Sequence, residues 1–229
     1  VSIGIALFIS HYAPRRLATV IGYVMDLLAA VPSVVFGLWG INTLAVTLQP
    51  AYAWLNATFG DAPVLGLFFG GTASGTGRTI LTASAVLAIM VLPIITSLCR
   101  EVFLQTPRLH EEASLALGAT KWEMIRQAVL PFGRSGIVSA CMLGLGRALG
   151  ETMAVAMVLS PANVISLLLL TSTNPNTIAA NIALNFPEAF GLGQNQLIAT
   201  GLVLFVITLA VNMLARAILR RRAEFSGAD

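Results

Sequence analysis

Residues Thr79 to Cys99 read TILTASAVLAIMVLPIITSLC, 21 positions without an Asp, Glu, Lys or Arg. At about 1.5 Å of rise per residue, such a helix covers about 30 Å, the thickness of a bilayer's hydrocarbon core. Two further stretches repeat the pattern: Thr152 to Pro187 and Ala189 to Ala215 carry no formal charge either. The chain of 229 residues is 57% hydrophobic and 10% charged, whereas a soluble domain carries about 25% charged residues. So few charges cannot cover a soluble surface, and disorder needs the opposite balance of low hydrophobicity and high charge. The fold class is therefore an all-α integral membrane protein.

The rest of the chain divides around these runs. Val1–Ser10 is apolar, too short to span and too poorly flanked for a signal peptide. With no initiator methionine before it, it reads as the end of a membrane helix, stopping near Tyr12, in a chain expected to lack its N-terminal part. Four full spans are expected: about Leu17–Leu48, with Pro32 able to kink it, Thr79–Cys99, Ser135–Leu159 and Gln196–Leu219. Gln49–Arg78 is a loop rich in Gly, Pro, Thr and Asn, and its Tyr52, Trp54, Phe59, Phe68 and Phe69 suit a membrane interface. Ser160–Asn195 is charged only at Glu188, and a short re-entrant or interfacial helix is expected around Val164–Leu170.

Charge gives the orientation. If the spans alternate sides, one side collects Arg15, Arg16, Arg100, Arg108, Lys121, Arg126, Arg134, Arg216 and the Arg220–Arg222 triplet, and the other only Arg78. Basic residues gather on the cytoplasmic side, which places the Arg100–Pro131 loop and the C-terminus there. Cys99 and Cys141 read as free thiols, and neither they nor His11 and His110 have the spacing of a metal site.

The Arg100–Pro131 loop reads as two short helices around a turn. Thr106 and Pro107 suit an N-cap and a first helical position, Gly118 a left-handed stop, and Thr120-Lys121-Trp122-Glu123 a capping box that starts the second helix. That helix is expected to stop before Pro131. Capping alone leaves two readings open, an ordered connection or a docking knob for a cytoplasmic partner.

Glu112-Ala113-Ser114-Leu115-Ala116-Leu117-Gly118, nine residues, then Ala128-Val129-Leu130-Pro131 resemble the EAA loop of ABC importer permeases. That pattern has Ala where this chain has Ser114, and Ile where it has Ala128. The stretches Ala30–Gly40, with Gly-Leu-Trp-Gly, and Leu145–Val155, with Glu-Thr-Met-Ala-Val, are similar to the PstC-type phosphate permeases of that family rather than to the sister PstA type. The resemblance implies a type I ABC importer transmembrane domain over residues 1–222, with a coupling loop at 100–131 and a polar tail at 223–229. Six spans would be present in the complete family member. It implies that Glu112, Ala113 and Gly118, with Trp122 beside them, couple to an ATPase subunit. It further implies a bacterial plasma-membrane complex with a PstA-type permease, two PstB-type ATPases that bind ATP and Mg, and an extracytoplasmic PstS-type phosphate-binding protein. This subunit would hold no cofactor or metal and bind no nucleic acid.

Arg147 and Glu151 are the charges deepest in an expected span. Each costs about 2.5–3.5 kcal/mol at mid-bilayer, so neither faces lipid. Four residues apart in a continuous helix, they would share a face. They read either as a structural ion pair or as a pathway site, with Arg147 meeting phosphate and Glu151 moderating it. Asp26, near the cytoplasmic end of its span, and Arg78, as an outer-loop anion contact or a solvated charge, are weaker candidates. Gly71–Thr79 superficially resembles a phosphate-binding loop but lacks its first Gly and its Lys. No catalytic constellation lies in the spans, which argues against an intramembrane enzyme. A permease for molybdate or sulfate, or a passive channel or scaffold, remains as the alternative.

Overall fold

The computed structural model describes residues 1–162 and 164–223, with the backbone course alone for residues 218–223. The described residues are helical apart from connecting turns and one isolated bridge between Pro161 and Asn174. Four helical stretches are long and apolar enough to cross a membrane: Ser33–Phe59, Ile80–Leu104, Lys121–Leu149 and Leu192–Ala217. The tail expected beyond Ala223 lies outside the described residues.

The chain divides into two compact units. The first takes Val1–Ala30, Val91–Arg147 and the chain from Thr208. It opens with α1, Ser2–Leu7, prolonged by a π turn through Phe8–Tyr12, and α2, Arg15–Ala30. The second half of α6 (Ile80–Leu104) follows, then α7 (Arg108–Ala116), α8 (Lys121–Met124), a π turn at Ile125–Val129 and α9 (Leu130–Leu149). Ala6, Leu7, Cys99, Phe103, Met124, Ile125, Val129 and Ala140 form its core. This core ties the N-terminal helix to the lower part of α6 and to the start of the long helix that follows the loop.

The second unit takes Val31–Met90 and Ala148–Ile207. It holds α3 (Ser33–Trp39), a π turn at Gly40–Leu44, α4 (Ala45–Phe59), the short α5 (Gly66–Phe69), the start of α6, α10 (Met153–Val158) and α11 (Ile178–Asn185). The helix α12, Leu192–Ala223, begins in this unit and ends in the first. Ala83, Val86, Ala154, Val155, Val158, Leu159 and Ala180 make the core, with α10 packed on α3. A side chain at Gly40 would put its Cβ 2.6 Å from Val86 Cγ2 and 3.0 Å from Val158 Cγ2, so only Gly permits that approach.

Several sequence expectations shift. The span expected at Leu17–Leu48 is two pieces: Val31 and Pro32 part α2 from α3, and the helix then runs on to Phe59. Pro32 has no N–H and forces its predecessor out of helical geometry, which breaks the helix rather than kinking it. Tyr52, expected at the interface, is 1% exposed and its hydroxyl meets Thr82 Oγ1 at 2.7 Å. The helix after the capping box does not stop before Pro131. Leu130 N–H bonds back five residues to Ile125 O, and the widened turn lets the helix continue through the proline. The span expected to reach Leu159 ends at Leu149, broken at Gly150. No helix forms over Val164–Leu170, which lies between α10 and α11.

The stretch that superficially resembled a phosphate loop has a structural use. Asn174 is fully buried; its Nδ2 donates to Arg78 O (2.9 Å) and Ser172 O (3.2 Å), and its Oδ1 accepts from Ile80 N–H (3.1 Å). Thr82 Oγ1 donates to Gly77 O at 2.6 Å. These bonds hold residues 74–82 against residues 169–174.

Substituting Gly40→Val should destabilise the protein by about 1–3 kcal/mol through overpacking. The thermal midpoint of the detergent-solubilised protein should fall for this variant. It should stay unchanged for Gly75→Ala, whose added Cβ meets nothing within 4 Å.

Candidate functional site

The loop between α6 and α8 is a knob capped at both joints. Helix α7 ends in the two-bond arrangement of a glycine C-cap: Gly118 N–H donates to Leu115 O (3.0 Å) and Ala119 N–H to Ser114 O (3.2 Å). Gly118 has φ +88°, the left-handed region the sequence assigns to it. Two residues on, the capping box is complete: Thr120 N–H donates to Glu123 Oε2 at 2.7 Å, and Glu123 N–H to Thr120 Oγ1 at 3.4 Å. The start of α7 differs from expectation. Pro107 takes the cap position, and Thr106 Oγ1 is buried without a partner among the described residues.

Helix α7 has no buried residue: Arg108, Leu109, His110, Glu112, Ala113, Leu115 and Ala116 are exposed, as is the adjoining Leu117, and only Glu111 and Ser114 are partly covered. The helix packs against the π turn at Ile125–Val129. Leu117 is 90% exposed beside Gly118, and Trp122, at the start of α8, is 54% exposed. The structure thus brings Glu112, Ala113, Gly118 and Trp122 to one exposed feature and adds Leu109 and Leu117. Sequence reading passed over these leucines because an apolar residue on a short helix is ordinarily core. The signal was their spacing: both fall on the Glu112–Ala113 face.

Beneath the knob, the end of the first helix acts as a clamp. His11 Nε2 lies 3.4 Å from Glu111 Oε1, with its other ring nitrogen 2.6 Å from Ser10 Oγ. Lys121 Nζ stands 5.1 Å over the Tyr12 ring. Consecutive residues of one helix end therefore hold both sides of the Gly118 turn. The His11–Glu111 contact joins the first helix to α7 across 100 residues of sequence. Ser114, where the family pattern has Ala, carries a hydroxyl with no partner among the described residues.

The intramembrane charges are arranged differently from expectation. Because α9 ends at Leu149, Glu151 does not continue the helix face that carries Arg147. Glu151 is 8% exposed, and its Oε1 accepts from Ala154 N–H at 3.1 Å, satisfying a first-turn amide of α10. Arg147 lines a cleft in the first unit, with a volume of about 710 Å³, between α9, α12, the end of α2 and the middle of α6. It has no hydrogen-bond partner among the described residues. Asp26 lies exposed on α2. Arg78 is half-buried and caps the end of α10: Nη2 donates to Met157 O and Leu159 O, both at 2.9 Å, and Nε to Val158 O at 3.5 Å.

Four helices long and apolar enough to cross a membrane, with a capped helical knob between two of them, fit the membrane subunit of a transport system. Over residues 2–224 the chain matches the family of binding-protein-dependent transport system inner membrane components, and it belongs to that family. It is 52% identical over 222 residues to the phosphate transport system permease protein PstC 2 of Mycobacterium tuberculosis, covering 95% of this chain and 67% of that protein. It is 45% identical over 228 residues to the phosphate transport system permease protein PstC of Xylella fastidiosa, covering 99% and 69%. The corresponding protein of Haemophilus influenzae is 40% identical over 228 residues, with 99% and 71% covered.

Gly118→Ala should leave the fold intact, since an added Cβ meets nothing within 4 Å, while costing about 1–2 kcal/mol of left-handed strain. Hydrogen exchange in peptides spanning Arg108–Ala119 should therefore speed up about tenfold. Ser114→Ala, which deletes only an unpartnered hydroxyl, should leave that exchange rate unchanged.

Proposed function

We propose that the chain is the membrane permease subunit of an ATP-driven inorganic phosphate importer and forms part of the translocation pathway. The observation that carries this reading is its 52% identity, along 95% of its length, to a phosphate permease. Arg147 supplies the chemistry. A guanidinium is permanently charged and presents paired N–H donors that match phosphate oxygens, and this one has room around it and no partner among the described residues. Glu151 acts at one remove: its carboxylate fixes the start of α10 just past the break that follows the Arg147 helix.

In this reading the knob faces the cytoplasm, as the distribution of basic residues supports. It seats in a cleft of an ATPase subunit, with Leu117 and Trp122 as apolar contacts and Glu112 as the polar one. ATP binding closes a pair of ATPase subunits and moves the knob. The packed core of Phe103, Met124, Ile125 and Val129 passes that motion to α6 and α9, because a close-packed interior transmits displacement rather than absorbing it. A related permease subunit completes the pathway, and an extracytoplasmic binding protein delivers phosphate to it. ATP and Mg stay with the ATPase subunits.

The assembled complex in vesicles, given its binding protein, should take up labelled phosphate in an ATP-dependent manner, with excess sulfate or molybdate competing weakly. Arg147→Gln should reduce uptake at least tenfold with assembly preserved. Glu151→Gln, which keeps a carbonyl acceptor for Ala154, should reduce it less. Equal, near-normal uptake by both assembled variants would remove Arg147 from the pathway.

A further inference from the structure

The cleft that holds Arg147 contains a second cation. Arg216, on α12, lines the same cavity, and so does Asn212 one turn before it on the same helix face. Across from them, α9 contributes Ser139 and Arg147, with Gly146 leaving the space beside Arg147 open. Ser139 directs its hydroxyl hydrogen to Ser135 O at 2.8 Å. The lining thus has two guanidinium groups and one amide, and no carboxylate. Arg147, Asn212 and Arg216 have no hydrogen-bond or ion-pair partner among the described residues.

Arg147, Asn212 and Arg216 are all exposed in the isolated subunit, so their side chains are free to meet a solute, and two guanidinium groups lining one cavity with no carboxylate make it positive. A mobile anion between the two cations balances that charge. They also belong at different depths. Arg147 lies about 20 Å along the helix from Arg134, near the cytoplasmic start of its span, whereas Arg216 comes just before the Arg220–Arg222 triplet in sequence.

We propose that Asn212 and Arg216 form a second anion station, nearer the cytoplasm than Arg147, on the exit route of the transported oxyanion. The proposal rests on the phosphate-importer reading. Arg147 alone would hold a doubly charged anion by a single cation. A second cation with a neutral donor beside it lets the anion leave in steps, as conduction through charged pores requires: binding strong enough to enter, and shared among sites so that it can leave. Arg216 touches substrate in this scheme, while Asn212 donates to it through its amide.

The test uses the full complex with its binding protein in proteoliposomes, and reads labelled-anion uptake, ATP hydrolysis and subunit co-purification together. Arg216→Gln should lower uptake about tenfold with hydrolysis within twofold of wild type, and Arg216→Lys should stay within threefold of wild type. Asn212→Asp keeps the side-chain volume and adds a negative charge, and should also lower uptake about tenfold. Normal uptake by Arg216→Gln, or by Asn212→Asp in an assembled complex, overturns the proposal. So does loss of co-purification by Arg216→Gln together with normal uptake by Asn212→Asp, which makes Arg216 a subunit contact. Wild-type uptake is measured first with phosphate, sulfate and molybdate. Transport of another oxyanion but not phosphate refutes the substrate reading alone, and the cleft variants are then scored with the transported anion.

Discussion

Inside an apolar bundle a backbone N–H or carbonyl has no water to turn to, so each irregular turn must be satisfied by the protein itself. Where the helix runs into Pro131, the ladder widens by one residue and Leu130 N–H reaches Ile125 O. Where the connection between α5 and α6 leaves regular structure, the buried Asn174 serves two carbonyls and one amide. Where α10 ends, Arg78 takes three of its carbonyls. Glu151 does the same for an amide at the start of α10. The polar side chains at these breaks are structural for that reason.

The knob and the cleft are built differently. The knob is over-determined: a glycine C-cap, a capping box and the His11–Glu111 contact fix a turn of a few residues, and the core beneath is packed. Rigidity is what the proposed coupling role needs, because a soft knob would absorb the displacement it should transmit. The cleft has the opposite character. Its cations lack protein partners among the described residues and its volume is open, which suits the proposed passage of an anion.

Reading along the chain recovered the spans by type and missed some of their ends. Long charge-free runs mark helices because their length matches the bilayer, but each helix end depends on a local break. Pro32 ended a helix where a kink was expected, while Pro131 did not end one. The difference lies in what precedes each proline: a widened turn absorbs Pro131, and nothing of that kind precedes Pro32. Gly150 broke the helix that was expected to place Arg147 and Glu151 on one face, so a spacing rule valid only within a helix lost its basis. Tyr52 was taken for an interface aromatic because burial of a tyrosine depends on a partner, here Thr82, far along the chain.

Membrane class, the Gly118 stop and the Thr120–Glu123 box are properties of neighbouring residues, and the amino acids alone determined them. The clamp from His11 and Tyr12 and the placing of Arg147, Asn212 and Arg216 around one cavity were decided only by the tertiary structure. Each of those joins residues from separate helices, and no local periodicity records which helix faces will come together.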